Sequence, residues 1–491
     1  MTAVSVDMFF LRPGAPGTLQ NRIRQMVAEG ILAGRFRPGE RMPSSRRLAQ
    51  HLGVSRITVV LAYSDLVADD YLTAQGRSGF FVSETAPQPQ DFDPPPAPAG
   101  DTVDWSRILP KVPMSLRMGK PDNWRAFRYP FVYGQADPTL FDHQNWRGCT
   151  LMALGAKDFH AMTDDRFEED DPALVEYIAR HTLPRRGILA RPEEILITLG
   201  AQNALWLAAQ LLVGPRRTAA IEEPGYPPLR DILTQTRCRV MPLPVGPEGL
   251  APGAVPRGVD VLFCTPSHHC PTGATMPLEA RRQLLQSAEA RNFLIVEDDY
   301  EFEIAHDRAP LPALKSLDAG GRVIHVGSFS KSLFPGLRLG FLVGPAPFIR
   351  EARALRATVL RHPPGLIQRA AAYFLSLGHY DALLRRTQRA FRARREVMLQ
   401  AVAEHGLTPA GGSGPGGSSL WMRAPDGVDT EALGRALRDD SVLIEPGRPF
   451  FTPPLAPGNF YRIAYSSIPA ERIPEGIARI AVALRHSTAA A

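Results

Sequence analysis

Between residues 18 and 82 the apolar positions fall into three helical stripes followed by two short extended runs. Leu19, Ile23, Met26, Val27 and Ile31 recur at the spacing that puts side chains on one helix face, and Thr18 is placed to cap that helix. Arg37-Pro38-Gly39 ends the element. Ser44 or Ser45 opens a short second helix with Leu48, Ala49 and Leu52 inward, and Gly53 makes a turn. A third helix starts near Ser55 with Val59, Ala62, Tyr63 and Leu66 inward. Residues 71–74 and 79–82 read as two strands around a turn at 75–78. Two helices separated by a tight glycine turn and followed by a hairpin predict a helix-turn-helix with a wing.

From residue 84 to 100 the periodicity stops. Six prolines with almost nothing to bury favour extended, semi-rigid spacer geometry. Beyond the spacer the pattern changes to apolar strand, glycine turn and helix, repeated, which argues for an α/β layer with a mostly parallel sheet. Residues 194–198 form one such strand, 199–202 turn into a helix over 203–212, and the fully apolar run 293–296 is another strand. The expected organisation is residues 1–83 as a DNA-binding module, 84–110 as a linker and 111–491 as a large domain with a small α+β subdomain from about 375.

Charge sharpens this division. The chain of 491 residues carries a net charge of +6. Residues 1–83 hold ten arginines, no lysine and six acids, a local excess of +4, so the remainder is near neutral. In helix-turn-helix docking the first residues of the second helix enter the major groove. Here these are Ser55, Arg56, Ile57 and Thr58. Arg56 suits guanine edges, Ile57 a thymine methyl, and Thr58 a phosphate or base. Arg46, Arg47 and Arg77, the last beside Gly76 in the wing turn, are placed for backbone contact.

Lys331 is one of only five lysines against fifty-one arginines. Its amine can lose a proton when desolvated and form a Schiff base, which a guanidinium cannot do. Ser328, Ser330 and Arg338 surround it in sequence with donors suited to phosphate. An amine beside a phosphate site is what pyridoxal 5′-phosphate (PLP) requires. Gly200, with Ala201 and Gln202, lies at a strand-to-helix turn whose amides suit phosphate. Tyr226 follows another strand, where its ring can stack on a flat ligand. Glu297, Asp298 and Asp299 end a buried strand, which is costly without a cationic partner. Asp298 suits a pyridine nitrogen and Tyr300 a ring oxygen.

Phe36-Arg37-Pro38-Gly39-Glu40-Arg41-Met42-Pro43-Ser44-Ser45-Arg46 and the run from Leu52 to Val59 resemble the winged helix of GntR-type bacterial repressors. The resemblance implies Arg46, Arg56, Thr58 and residues 76–79 at DNA, with Ile57 standing where a polar or small residue is commoner. In order, Gly200, Tyr226, Pro271-Thr272-Gly273, Asp298, Tyr300, Lys331, Arg338 and Arg462 resemble fold-type-I aminotransferases. This implies Lys331 as the aldimine lysine and Arg462 as the anchor of a carboxylate. Cys270 departs from the pattern, since many of these enzymes have an asparagine there, and the departure argues against efficient transamination. The whole layout resembles the MocR/GabR subfamily of GntR regulators. That implies a PLP-dependent homodimeric transcriptional regulator, sensing a small amino compound through an external aldimine and binding operator DNA. It also implies that residues 129–134, flanked by Trp105, Trp124 and Trp146, line the partner's site. The second reading is an active aminotransferase with an accessory DNA-binding module.

Four scattered cysteines lack metal-ligand spacing, no secretory signal opens the chain, and no apolar run is long enough to span a membrane. A cytoplasmic protein without a bound metal is expected. The arginines at 385, 386, 389, 392, 394 and 395 share a predicted helix with Leu384, Phe391 and Met398 and read as a solvated face.

Overall fold

A computed structural model describes residues 3–11, 14, 16–87, 103–109, 120–165, 168–305, 310–412, 414, 416–454 and 456–489. Most of the proline-rich spacer lies outside these residues. The chain forms two compact units, Met1–Pro110 and Lys111–Ala491.

In the first unit, α1 (Leu19–Leu32) starts where the Thr18 hydroxyl accepts the Asn21 amide. Helix α2 (Ser45–Leu52) is capped by Ser44 and ends at Gly53, and α3 (Arg56–Ala68) is capped by Ser55. These hydroxyls satisfy amides that the first helical turn leaves without partners, so the starts are decided locally. Ile23, Val27, Leu48, Val59, Tyr63 and Leu66 are fully buried together, each aliphatic side chain contributing about 1.5–3 kcal/mol of transfer free energy. The wing pairs β1 (Leu72–Ala74) with β2 (Phe80–Val82), antiparallel, in the register Leu72 with Val82. Residues ahead of α1 complete this core. The Val4 amide bonds to the Arg41 carbonyl at 2.9 Å, and Phe9 stacks on Phe36 with ring centroids 5.0 Å apart.

The second unit is built on an eight-stranded sheet of β3 (Ile195–Thr198), β4 (Thr218–Glu223), β5 (Arg239–Gly246), β6 (Gly249–Leu250), β7 (Val261–Cys264), β8 (Leu294–Asp298), β9 (Val323–Ser328) and β10 (Gly340–Val343). Its spatial order is β3-β10-β9-β8-β7-β4-β5-β6. The neighbours β9, β8, β7, β4 and β5 are parallel, whereas β10 runs against both of its neighbours and β6 turns back on β5. Helices cover the sheet, so strands such as Ile195–Thr198 and Val261–Cys264 are buried at every position. Helix α4 (Ala201–Leu212) begins two residues earlier than the sequence pattern predicts. The Asn203 side chain accepts the Leu199 amide at 3.1 Å and closes the turn, which frees the helix to start at Ala201. Likewise β8 continues through Glu297 and Asp298 instead of stopping at Val296, because the Glu297 carboxylate finds internal partners.

A second, antiparallel sheet contains β11 (Thr408–Pro409), β12 (Ser419–Arg423), β13 (Glu445–Pro446) and β14 (Phe460–Ala464), ordered β11-β12-β14-β13. The long helix α5 (His379–Glu404) and the last helix α6 (Ile473–Ala489) pack on it through Phe391, Met398, Ile473, Ile477 and Ile480. The arginine run on α5 is not a uniformly solvated face. Arg394 is buried and bonds to Asp137 and to the Ser466 carbonyl at 2.8 Å, Arg386 reaches the Leu140 carbonyl, and Arg395 reaches the Gly414 carbonyl. These side chains tie α5 to the loops around the site described below. Among the described residues, no helix is long and apolar enough to cross a membrane.

Candidate functional site

In open α/β sheets ligands bind outside the carboxyl ends of the parallel strands. Five such ends converge here: Gly200 follows β3, Tyr226 follows β4, Cys270 follows β7, Asp298 closes β8, and Ser328 closes β9 just before Ser330 and Lys331. They surround a cavity of about 140 Å³ whose walls include Ala201, Gln202, Tyr226, Asp298, Tyr300, Ser328, Ser330, Lys331 and Arg338. All of these were singled out in the sequence. Gly200 stands just outside the wall, at φ +79°, and a Cβ there would lie 3.3 Å from the Arg338 guanidinium. The glycine therefore allows Arg338 to close over the start of α4, whose amides face the same space.

The three acids at the end of β8 have different fates. Glu297 accepts the Leu314 and Lys315 amides at 2.7 and 3.0 Å and faces His325 at 3.1 Å. Burial works against its charge, yet His325 and the Lys315 amide hold it below the usual carboxylate range. Asp299 is bonded to the buried Arg186 at 2.7 Å. Asp298 alone turns to the cavity, and its Oδ1 has no hydrogen-bond partner among the described residues. Burial, then Asp299 and Glu222, push its pKa up to about 8, while Lys331 pulls it down. A cation arriving beside Asp298 would remove most of that strain.

Around Asp298 the other groups keep their protons. Burial raises the Tyr226 and Tyr300 phenols, so both remain donors. Burial also pushes the Cys270 thiol up to about 11. His269, wedged beside Glu222, falls to about 3 through burial and stays neutral. The Lys331 amine is lowered by burial and by Arg462, against the pull of Glu301, which makes it a better nucleophile near neutrality. At the end of the cavity beside Arg338, the Ser328 hydroxyl accepts the Ser330 amide at 3.2 Å. The Ser330 hydroxyl has no partner among the described residues. Arg338 donates to the Leu199 carbonyl at 3.2 Å.

Arg462 is engaged. Its Nε donates to Glu445 Oε2 at 2.8 Å across the β13–β14 pair, its Nη1 lies 4.0 Å from Cys270 Sγ, and its guanidinium stacks 3.9 Å from the Tyr133 ring centroid. Tyr133 lines this cavity in its own chain, and Gly134 lines a smaller neighbouring one. Trp124 is buried against Val132, and Trp146 packs against Phe334 and Phe374. His268 and Glu301 are site residues that the sequence did not single out, and Tyr133 was expected only as part of the segment 129–134 lining the partner's site. The signal was a fourth acid directly after Tyr300 and an aromatic beside a glycine.

In the winged unit, Arg46, Arg47, Ser55, Arg56 and Ile57 are exposed, and Ile57 retains 63% of its surface. Ser55 accepts the Thr58 amide and its hydroxyl pairs with that of Thr58 at 2.7 Å, so both are tied into the helix cap. Leu61, one turn after Ile57, is also exposed. Gly76 lies in the wing turn; the Arg77 side chain is outside the described set.

Two family profiles match: "Bacterial regulatory proteins, gntR family" over residues 19–82 and "Aminotransferase class I and II" over residues 168–480. The chain is 61% identical to the HTH-type transcriptional regulator TauR of Rhodobacter capsulatus over 98% of its own length and 100% of that protein's. It is 30% identical to the probable rhizopine catabolism regulatory protein MocR of Rhizobium meliloti, over 96% and 94% of the two chains. The chain belongs to the MocR/GabR subfamily of GntR-type transcriptional regulators. Among solved structures it resembles LysN, the α-aminoadipate aminotransferase of Thermus thermophilus complexed with N-(5′-phosphopyridoxyl)-L-leucine. The TM-score is 0.70 at 28% identity, covering 79% of this chain and 100% of that one. As a MocR/GabR member the chain is a DNA-binding transcriptional regulator whose larger unit has the fold-type-I aminotransferase architecture. Enzyme ancestry and regulatory membership are thus both visible in one chain.

Proposed function

We propose that the regulator holds PLP in the cavity behind Asp298 and uses it to sense a small amino compound. The observation that carries this reading is the buried Asp298 oxygen without a partner, facing Lys331 across a cavity whose far end offers the Ser330 hydroxyl, the start of α4 and Arg338. These groups match a pyridine nitrogen, an aldehyde and a phosphate. When bound, PLP would supply an aldehyde carbon able to bond an amine, and Lys331 is the residue that would hold it until an effector amine arrives.

The chain's own residues perform the remaining tasks. Asp298 would hold the proton of the ring nitrogen, Tyr300 would donate to the ring oxygen, and Tyr226 would offer its face to the ring. Gly200, Ala201, Gln202, Ser328, Ser330 and Arg338 hold the phosphate. Arg462 receives the effector's acid group, with Glu445 fixing one edge of its guanidinium. Arg56 and Ile57 read base edges, and Arg46, Arg47 and Arg77 hold the DNA backbone, with Ser55, Thr58 and Gly76 fixing the approach. The regulator works as a homodimer in the cytoplasm, and effector exchange biases the paired winged helices between two geometries of different DNA affinity. Cys270, a protonated thiol where many aminotransferases have an asparagine, favours sensing over turnover. Borohydride reduction after PLP loading, followed by peptide mapping, tests the assignment. A phosphopyridoxyl label on Lys331 is expected, and a label elsewhere or none would overturn it.

A further inference from the structure

Lys331 stands on the wall between two cavities. One is the cofactor cavity already described; the other, of about 30 Å³, lies behind it and is lined by Gly134, Glu301, Ser418 and Ser466 together with Lys331 itself. That volume holds one ammonium group or a water molecule. The Ser466 hydroxyl is buried there without a hydrogen-bond partner among the described residues. Glu301 is 4% exposed and fixed from three sides, accepting Tyr133 Oη at 3.1 Å and Ser418 Oγ at 2.5 Å and facing His268 Nε2 at 3.3 Å. Lys331 Nζ lies 4.4 Å from the Tyr133 ring centroid. A Cβ on Gly134, whose φ is +71°, would come within 2.3 Å of that nitrogen, so only glycine admits the amine here.

We propose that Glu301 is a positioning residue that receives the Lys331 amino group in this second cavity whenever the lysine is displaced from a bound aldehyde, and that Tyr133 sets how strongly it does so. The proposal rests on Lys331 holding a carbonyl compound, as above. In the exchange a C=N bond to the effector nitrogen forms as the one to Lys331 breaks. The effector amine brings two protons and the C=N nitrogen of Lys331 keeps its own, so the lysine leaves as an ammonium, the new C=N is neutral, and no electrons are gained or lost. The freed amine in a buried site needs a counter-charge to remain protonated. The charged and titratable groups around Lys331 are Glu301 after β8, Glu445 on β13, Arg462 on β14, Cys270 after β7, Asp298 and Tyr133. Glu445 is taken up by Arg462, Asp137 in the wall of the rear cavity is taken up by Arg394, and Asp298 faces the cofactor cavity, which leaves Glu301 as the carboxylate that shares the rear cavity with the amine. Glu301 divides its charge among its donors. Removing the Tyr133 hydroxyl therefore leaves more of that charge for Lys331.

The test uses full-length protein carrying Glu301→Gln or Tyr133→Phe, with folding checked by circular dichroism. Before PLP is added, the pH dependence of reductive methylation at Lys331 is read by peptide mass mapping. Glu301→Gln is expected to lower the Lys331 midpoint by about one unit or more, and Tyr133→Phe to raise it. After PLP loading, Glu301→Gln is expected to need about tenfold more amine for the same displacement in the visible spectrum. A merely structural loosening would move both variants in the same direction. That result, or two unmoved midpoints, overturns the proposal. Should Glu301→Gln not fold, Glu301→Asp carries the same test with a smaller downward shift. A protein that takes no PLP at all defeats the cofactor reading instead, and leaves the methylation result to decide the Glu301–Lys331 pairing.

Discussion

Asp298→Asn should make the protein more stable without PLP and less responsive to it. The Asp298 carboxyl titrates at about 8 against the usual 3.8. Those roughly four units, at about 1.4 kcal/mol each, mean that ionising it inside the folded protein costs about 6 kcal/mol at most. Because the folded pKa is raised, its stabilising effect is complete below pH 4 and is lost as the pH climbs through 8, at about 1.4 kcal/mol per unit. Asparagine does not titrate. Between pH 5 and pH 8 the variant should therefore gain about 3–4 kcal/mol on the wild type. Glu222 and Glu303, both raised to about 7 by burial, tilt both profiles, and because Glu222 repels the Asp298 carboxylate the difference reports Asp298 together with that repulsion. Denaturant unfolding at pH 5, 6, 7 and 8 measures it. With PLP present the gap should narrow by about 3 kcal/mol, since the cationic ring partners the wild-type carboxylate and the amide loses that pairing, roughly 100-fold in PLP affinity. Parallel wild-type and variant profiles without PLP would refute the idea that Asp298 is held protonated for a cationic ligand.

Arg56→Ala should weaken binding to the preferred DNA site by about 1–3 kcal/mol and to random duplex by less, measured by fluorescence anisotropy. Arg46→Ala should weaken both equally and reduce the slope of log affinity against log salt by about 1. Gly340→Ala places a Cβ 2.8 Å from the Gly327 carbonyl and 2.9 Å from Gly200 Cα, both backbone atoms. It should cost about 1–3 kcal/mol in thermal unfolding and displace the phosphate turn, with PLP affinity falling in step. Arg462→Met alone strands Glu445 and should destabilise by about 3 kcal/mol, whereas Arg462→Met with Glu445→Gln should recover the stability without recovering the effector response.

What the sequence revealed was what local chemistry decides. Thr18, Ser44 and Ser55 announce their helices because a hydroxyl captures an amide three residues on. Apolar strands followed by glycine, tyrosine or acid placed the residues of the cavity, since the ends of parallel strands meet at one edge. Partners distant in sequence stayed hidden. Of the three acids at the end of β8 the sequence pointed to Asp298, but not to the partners of the other two, Arg186 on Asp299 and His325 beside Glu297. Arg462 looked like an open anion anchor, but it is paired with Glu445 on the neighbouring strand. Arg394 looked solvated because its partners, Asp137 and the Ser466 carbonyl, lie far away in the chain. Glu301 carried no motif, and only folding brings it and Tyr133 to Lys331 of the same chain.

The central claim is that one event at Lys331 is read out at DNA. The direct measurement follows the visible spectrum and the anisotropy of labelled operator DNA together, while PLP-loaded protein is titrated with a panel of amino compounds. The account predicts that compounds which displace Lys331 change DNA affinity over the same concentration range, and that compounds which leave the spectrum unmoved leave DNA binding unmoved. A compound that displaces the lysine fully while DNA binding stays constant would contradict it.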